Sequence, residues 1–233
     1  TRHFPPEVSG GVRRWFWMAD ALAKRNHEVV IAAPDLGNSH DFVSQQFTPR
    51  IIRVPHVSAI RGARQASSSP KSSTKKEAKI KTTLRVKFLV RQLREVLDGE
   101  TFDWVVTSSP PESLHYAGYK LKGTIARRWH ADMRDYWLDY PLIAARNKNT
   151  RRALEARIAK KWLKQADLRT AVDTGMAEEM GRLSGQEAKV LPHFAPPNPP
   201  QDISIDFKGP TDGVRLVYTG SFSLSDKDRK IAP

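Results

Sequence analysis

The amino-acid sequence predicts an α/β fold, a Rossmann-like parallel sheet with helices on both faces, and three observations carry that prediction. Short runs rich in β-branched and aromatic residues recur along the chain, among them Glu28 to Ala33, Asp103 to Thr107 and Leu168 to Asp173. Stretches of helical period separate them, the spacing that parallel strands and their crossovers require. A glycine pair, Gly10-Gly11, stands directly ahead of the first helix, which leads into a strand. In folds of this kind ligands gather at the carboxyl ends of the strands.

Each element has its own local reason. Val12, Trp15, Phe16, Ala19, Leu22 and Ala23 share one helical face, and Asn26 offers a left-handed cap after them. Glu28 to Ala33 reads as a strand closed by Pro34 and the turn-forming Asp35-Leu36-Gly37-Asn38. Arg50 to Val54 is a second strand, ended by Pro55. The segment from Arg61 is rich in Ser, Lys and Pro and reads as loop, giving way to an amphipathic basic helix from near Thr83 to Leu97. There Val86, Leu89, Val90, Leu93, Val96 and Leu97 fall within about 120° of a helical wheel, with Lys87, Arg91 and Arg94 opposite.

Asp103 to Thr107 is the next strand, Ser108-Ser109-Pro110-Pro111 a turn, and Pro111 opens a helix with Glu112 in its first turn. Thr124 to Trp137 supplies a strand followed by a polar loop. Asn149 to Ala166 is a long charged helix, Leu168 to Asp173 a strand, Thr174 to Gly185 a helix and Ala188 to Phe194 a last strand. Pro196-Pro197-Asn198-Pro199-Pro200 then reads as a stiff linker, and Val214 begins another strand and turn.

Composition narrows the function classes. A chain of 233 residues can bury a sizeable core, while its net charge of +14 requires an account of where the positive charge goes. The absence of cysteine excludes disulfides and thiolate chemistry and suits a cytoplasmic protein. No apolar run approaches the roughly 18 to 20 residues of a spanning helix.

The glycine pair can offer backbone N–H groups to an anion at the positive end of the helix dipole, or it can be a tight turn with no ligand. It lacks the third glycine and the following acidic residue of a dinucleotide fingerprint, which disfavours NAD. Ser109 lies in the turn after the Asp103 strand, and Arg134 and Asp135 lie just past another strand end. All three stand where ligands of this architecture collect, although Arg134 and Asp135 could equally form a plain surface ion pair. His130 and His193 have no metal-like spacing and read as structural, and Trp15, Phe16 and Trp17 read as core packing.

With these residues in place the chain resembles the retaining GT-B glycosyltransferases of family four. The stretch from His3 to Pro34, "DWVVTSSPP", "ADMRDYW", "LEARIAKKWLKQADLRTAVDTGMAEEM" and "VRLVYTGSFS" are similar to the family's motifs and follow in its order and spacing. The resemblance implies two Rossmann-like domains facing across a cleft, the acceptor held mainly by the first and the nucleotide-sugar donor mainly by the second. It implies residues 1–195 as an N-terminal acceptor-side domain, 196–213 as a Pro-rich interdomain linker, and 214–233 as the beginning of an incomplete donor domain. The family's two donor-holding glutamates, seven residues apart, are not in the sequence, so an inactive fragment is expected.

By the same resemblance Asp135 contacts the transferred sugar as the catalytic residue, a position where many relatives carry histidine. Gly10, Gly11, Ser109 and Arg134 are expected at the substrate, and Gly220, Arg229 and Lys230 at the donor diphosphate. No metal or other cofactor is expected to be needed. Lipid-linked acceptors, common among relatives, suggest that the basic helix docks on anionic membrane through Lys75, Lys76, Lys79, Lys87, Arg91 and Arg94 at the inner face of the cell membrane. Two other readings stay open: a basic nucleic-acid-binding module, and a non-catalytic partner domain.

Overall fold

The computed structural model describes residues 4–5, 10–35, 47–55, 75–138 and 149–193. The chain divides into two units, Thr1–Ala195 and Pro196–Pro233. The second unit lies outside the described residues, and Gly220, Arg229 and Lys230 lie outside them with it.

The first unit runs α1 (Gly10–Ala23), β1 (Val30–Asp35), β2 (Arg50–Pro55), α2 (Lys75–Val96), β3 (Phe102–Ser109), α3 (Leu114–Leu121), β4 (Ala126–Met133), α4 (Asn149–Leu163), β5 (Leu168–Ala171), α5 (Thr174–Ser184) and β6 (Lys189–Val190). Every strand pairing among the described residues is parallel, as predicted. Among the described residues the strands pair in the orders β1-β2 and β3-β4-β5-β6, parallel and flanked by helices as the sequence predicts. Phe4 is buried against Phe16 and Phe47 at ring distances of 6.0 Å.

Alternation along the strands assigns the faces. Trp129, Ala131 and Met133 of β4 and Ala171 of β5 pack with Leu163 of α4 and Met180 and Leu183 of α5. Val86, Val90, Leu93 and Leu97 in and just after α2 join Val54 of β2 and Ala117 and Leu121 of α3 in a second apolar cluster. The opposite side of β1 is covered by Phe16 and Ala19 of α1. Gly118 permits the closest of these contacts, since a Cβ there would overlap the Trp129 indole.

Several boundaries differ from the sequence pattern for local reasons. Helix α2 begins at Lys75, ahead of the expected Thr83, and its Lys and Glu residues are ordinary helix formers. Val96, placed by the wheel on the apolar face, is 59% exposed. The buried residues Val86, Val90, Leu93 and Leu97 span only about 60° of the wheel, and Val96 lies about 60° beyond their edge. Pro34 lies within β1 instead of ending it, as a proline can on a strand unpaired along one side among the described residues. Ser108 and Ser109 belong to β3, and Asp173 is the N-cap of α5, accepting a 2.8 Å bond from the Met176 amide. Asn26 has φ 65°, the left-handed cap expected after α1, and Gly185, read in the sequence as the last helical residue, has φ 71° and caps α5.

Candidate functional site

Strand register builds the site. Ser108, Asp132 and Thr170 are direct partners across β3, β4 and β5. With His130 they occupy the face turned toward α1, opposite Trp129 and Met133. Near their carboxyl ends these strands therefore present a polar layer, and α1 lies against it.

Asp132 is fully buried and saturated. Arg14 donates to it twice, from Nε to Oδ2 at 3.1 Å and from Nη2 to Oδ1 at 2.8 Å. Trp15 Nε1, Ser108 Oγ and Thr170 Oγ1 add bonds of 3.2, 2.8 and 2.7 Å. Burial alone would raise this carboxyl, but the Arg14 hydrogen bonds and charge, helped by the two hydroxyls, outweigh it and hold the group below the usual range. An ionised carboxylate with five donors has no lone pair left for proton transfer, so Asp132 is scaffold.

Thr170 spends its hydroxyl proton on Asp132, so His130 Nε2 must be the donor in its 2.7 Å contact with Thr170 Oγ1. Burial pushes the His130 pKa down, against the raising effect of the Asp132 charge. Arg14 also donates to the Leu191 and Pro192 carbonyls at 2.8 and 2.9 Å, tying α1 to the chain leaving β6. Arg14 and Asp132 were missed in the sequence. The available signal was the aspartate inside the strand "WHADM", because a charge in a buried strand must find a partner.

Of the residues singled out in the sequence, Gly11, Ser109 and Arg134 are brought together. Arg134, just past β4 and 9% exposed, donates from Nε to the Ser109 carbonyl at 2.9 Å and from Nη1 to the Gly11 carbonyl at 3.0 Å. It turns inward, away from a surface pairing with Asp135. Burial lowers its pKa, opposed by the charges of Asp132 and Asp135. Ser109 is 1% exposed and its hydroxyl has no hydrogen-bond partner among the described residues. Gly10 and Gly11 are the first residues of α1, so that helix's amino end lies beside Arg134. Asp135 is exposed at the end of the same strand.

The membrane-facing candidates lie apart, on α2. Lys87, Arg91 and Arg94 are exposed, Arg91 pairing with Glu95 at 3.4 Å and Arg94 donating to the Lys120 carbonyl at 2.7 Å. Lys75, Lys76 and Lys79 belong to the same helix, and their side chains lie outside the described residues. His130 is the structural histidine the sequence suggested, whereas His193 is exposed. Phe16 joins the core as expected, while Trp15 reaches the polar layer through its indole N–H. No helix among the described residues is long and apolar enough to cross a membrane.

What this arrangement can do is bind an anion. The Arg134 guanidinium and the positive end of α1 meet at the strand ends, while the Arg14 guanidinium is already committed to the Asp132 carboxylate. A family model described as a glycosyl transferase 4-like domain matches residues 9–193, which includes every part of this arrangement. No curated protein and no solved structure matches the chain.

Proposed function

This chain belongs to the glycosyl transferase 4-like family, and on that premise we propose that it serves the transfer of a sugar from a nucleotide-sugar donor to a glycan or lipid-linked acceptor, with retention, in surface polysaccharide or glycolipid synthesis. The observation that carries the reading is Arg134. Its guanidinium is nearly buried and, among the described residues, is hydrogen-bonded to two backbone carbonyls and to no carboxylate, although the Asp132 and Asp135 charges lie near, and this is the arrangement of a cation that can receive an anionic ligand. A nucleoside diphosphate leaving group develops the negative charge that such a cation, with the amino end of α1, stabilises without reorganising. The reading assigns that task to these groups and to no metal. Ser109 contributes through its carbonyl, which holds the Arg134 guanidinium, and the reading gives Asp135, exposed just past β4, the task of accepting a hydroxyl of the transferred sugar.

The test is product formation by the protein at its natural length from a panel of nucleotide sugars, with the anomer assigned by NMR. Retention predicts a product with the donor's own configuration. Arg134→Ala is expected to lower kcat by about 10²- to 10³-fold, and Asp135→Asn to lower kcat with little change in melting. Wild-type turnover in both variants would refute the roles given to them.

The second component of the reading is docking on anionic membrane through α2. Its support is that the apolar side of the helix is spent on the core, leaving Lys87, Arg91 and Arg94 as the side that faces out. Each cation near an anionic surface contributes about 1 kcal/mol. Co-sedimentation with anionic liposomes is expected to fall as salt rises, and equal recovery on neutral vesicles would contradict it.

A further inference from the structure

Glu179 of α5 is a buried carboxylate outside the Arg14–Asp132 network. It is 1% exposed, and its two oxygens accept from consecutive backbone amides, Trp137 N to Oε2 at 2.9 Å and Leu138 N to Oε1 at 2.7 Å. Those amides follow directly on the turn that carries Arg134 and Asp135. Helix α5 closes on the same turn through Gly175, where a Cβ would overlap the Tyr136 hydroxyl. The turn is thus gripped at both ends, by Asp132 in its network before it and by Glu179 after it.

A buried carboxylate is costly to desolvate, and shape alone could be filled by an apolar side chain. What the carboxylate adds is two acceptors at one point, which match two successive N–H groups as a glutamine cannot, since the glutamine amide presents one acceptor and one donor. We propose that Glu179 is a positioning residue: by holding the Trp137 and Leu138 amides it fixes the turn that aims Arg134 and Asp135 at the ligand. The inference rests on the anion-binding reading of Arg134.

The test uses Glu179→Gln in the whole chain with two readouts, hydrogen exchange and pyrophosphate titration followed by tryptophan fluorescence. Exchange is expected to rise about tenfold in residues 134–138 while β5 stays protected, and the pyrophosphate Kd is expected to rise roughly tenfold. Wild-type protein that binds no pyrophosphate would overturn the reading of Arg134, and the proposal with it. Wild-type binding together with an unchanged Kd or unchanged local exchange in E179Q would overturn the role of Glu179 alone. Should E179Q fail to fold, Glu179→Asp keeps the charge and both acceptors on an arm one methylene shorter. That variant must raise the same two quantities, and wild-type values for it would overturn the proposal.

Discussion

The two faces of the β3-β4-β5-β6 sheet are built from alternate residues of the same strands, yet they are held together by different physics. On one face Trp129, Ala131, Met133 and Ala171 meet α4 and α5 in an apolar contact whose stabilisation is spread over many small terms. On the other, Ser108, His130, Asp132 and Thr170 meet Arg14 and Trp15 in a network where each group depends on a specific partner. The apolar face tolerates change by degrees, whereas the polar face loses a whole partner at once. The candidate ligand groups, Arg134 and the amino end of α1, lie on the side of the polar face, where α1 meets the strand ends.

The largest effect is expected from Arg14→Ala, which leaves Asp132 buried without its cation. Urea unfolding should show a loss of about 3–5 kcal/mol, at least matching the loss of about 2–5 kcal/mol for Met133→Ala on the apolar face. A much smaller loss for Arg14→Ala would erase the contrast between the faces.

The apolar side has a titratable exception in His115, which sharpens the comparison. It is fully buried, shares a 3.0 Å contact with Thr107 Oγ1, and is pushed by burial, against the Asp132 charge, down to about 4. The unfolded chain takes up this proton near pH 6.5 and the folded chain does not, so stability is complete above that pH and is lost as pH falls toward 4. The loss is roughly 3 kcal/mol, and His130 acts in the same direction. Asp132 has the usual carboxylate sign, so its contribution disappears only as pH falls below the ordinary aspartate range. Denaturation across pH 4 to 7 checks this, and His115→Leu should remove most of the slope.

Smaller effects are expected from packing and capping. Gly118→Ala drives a methyl into the Trp129 indole and should cost about 1–3 kcal/mol in the same unfolding assay. Asp173→Ala removes the N-cap of α5, away from both faces, and should cost about 1 kcal/mol.

How much was legible in the sequence follows the same division. Strands β3, β4 and β5 and the long helices were readable because their burial is decided by each residue's own hydropathy and period. The register that sets Ser108, Asp132 and Thr170 side by side was not, since pairing between strands is a matter of tertiary placement. Gly11 and Arg134 were found from their place at a helix start and just past a strand end. Arg14 and Asp132 stand 118 positions apart, and hydropathy alone sends an arginine on a helix to solvent. Glu179 was passed over for the same reason, because its partners are main-chain amides that carry no residue signature.

The central claim is that Arg134 and the amino end of α1 receive an anion while Arg14 stays locked on Asp132. The most direct measurement is an NMR titration with a nucleoside diphosphate that follows the Arg134 and Arg14 Nε–H resonances and the Gly11 amide. The account predicts that the Arg134 and Gly11 signals move together and saturate while the Arg14 signal stays in place. Saturable binding that leaves Arg134 and Gly11 unshifted, or that shifts Arg14 instead, would contradict it.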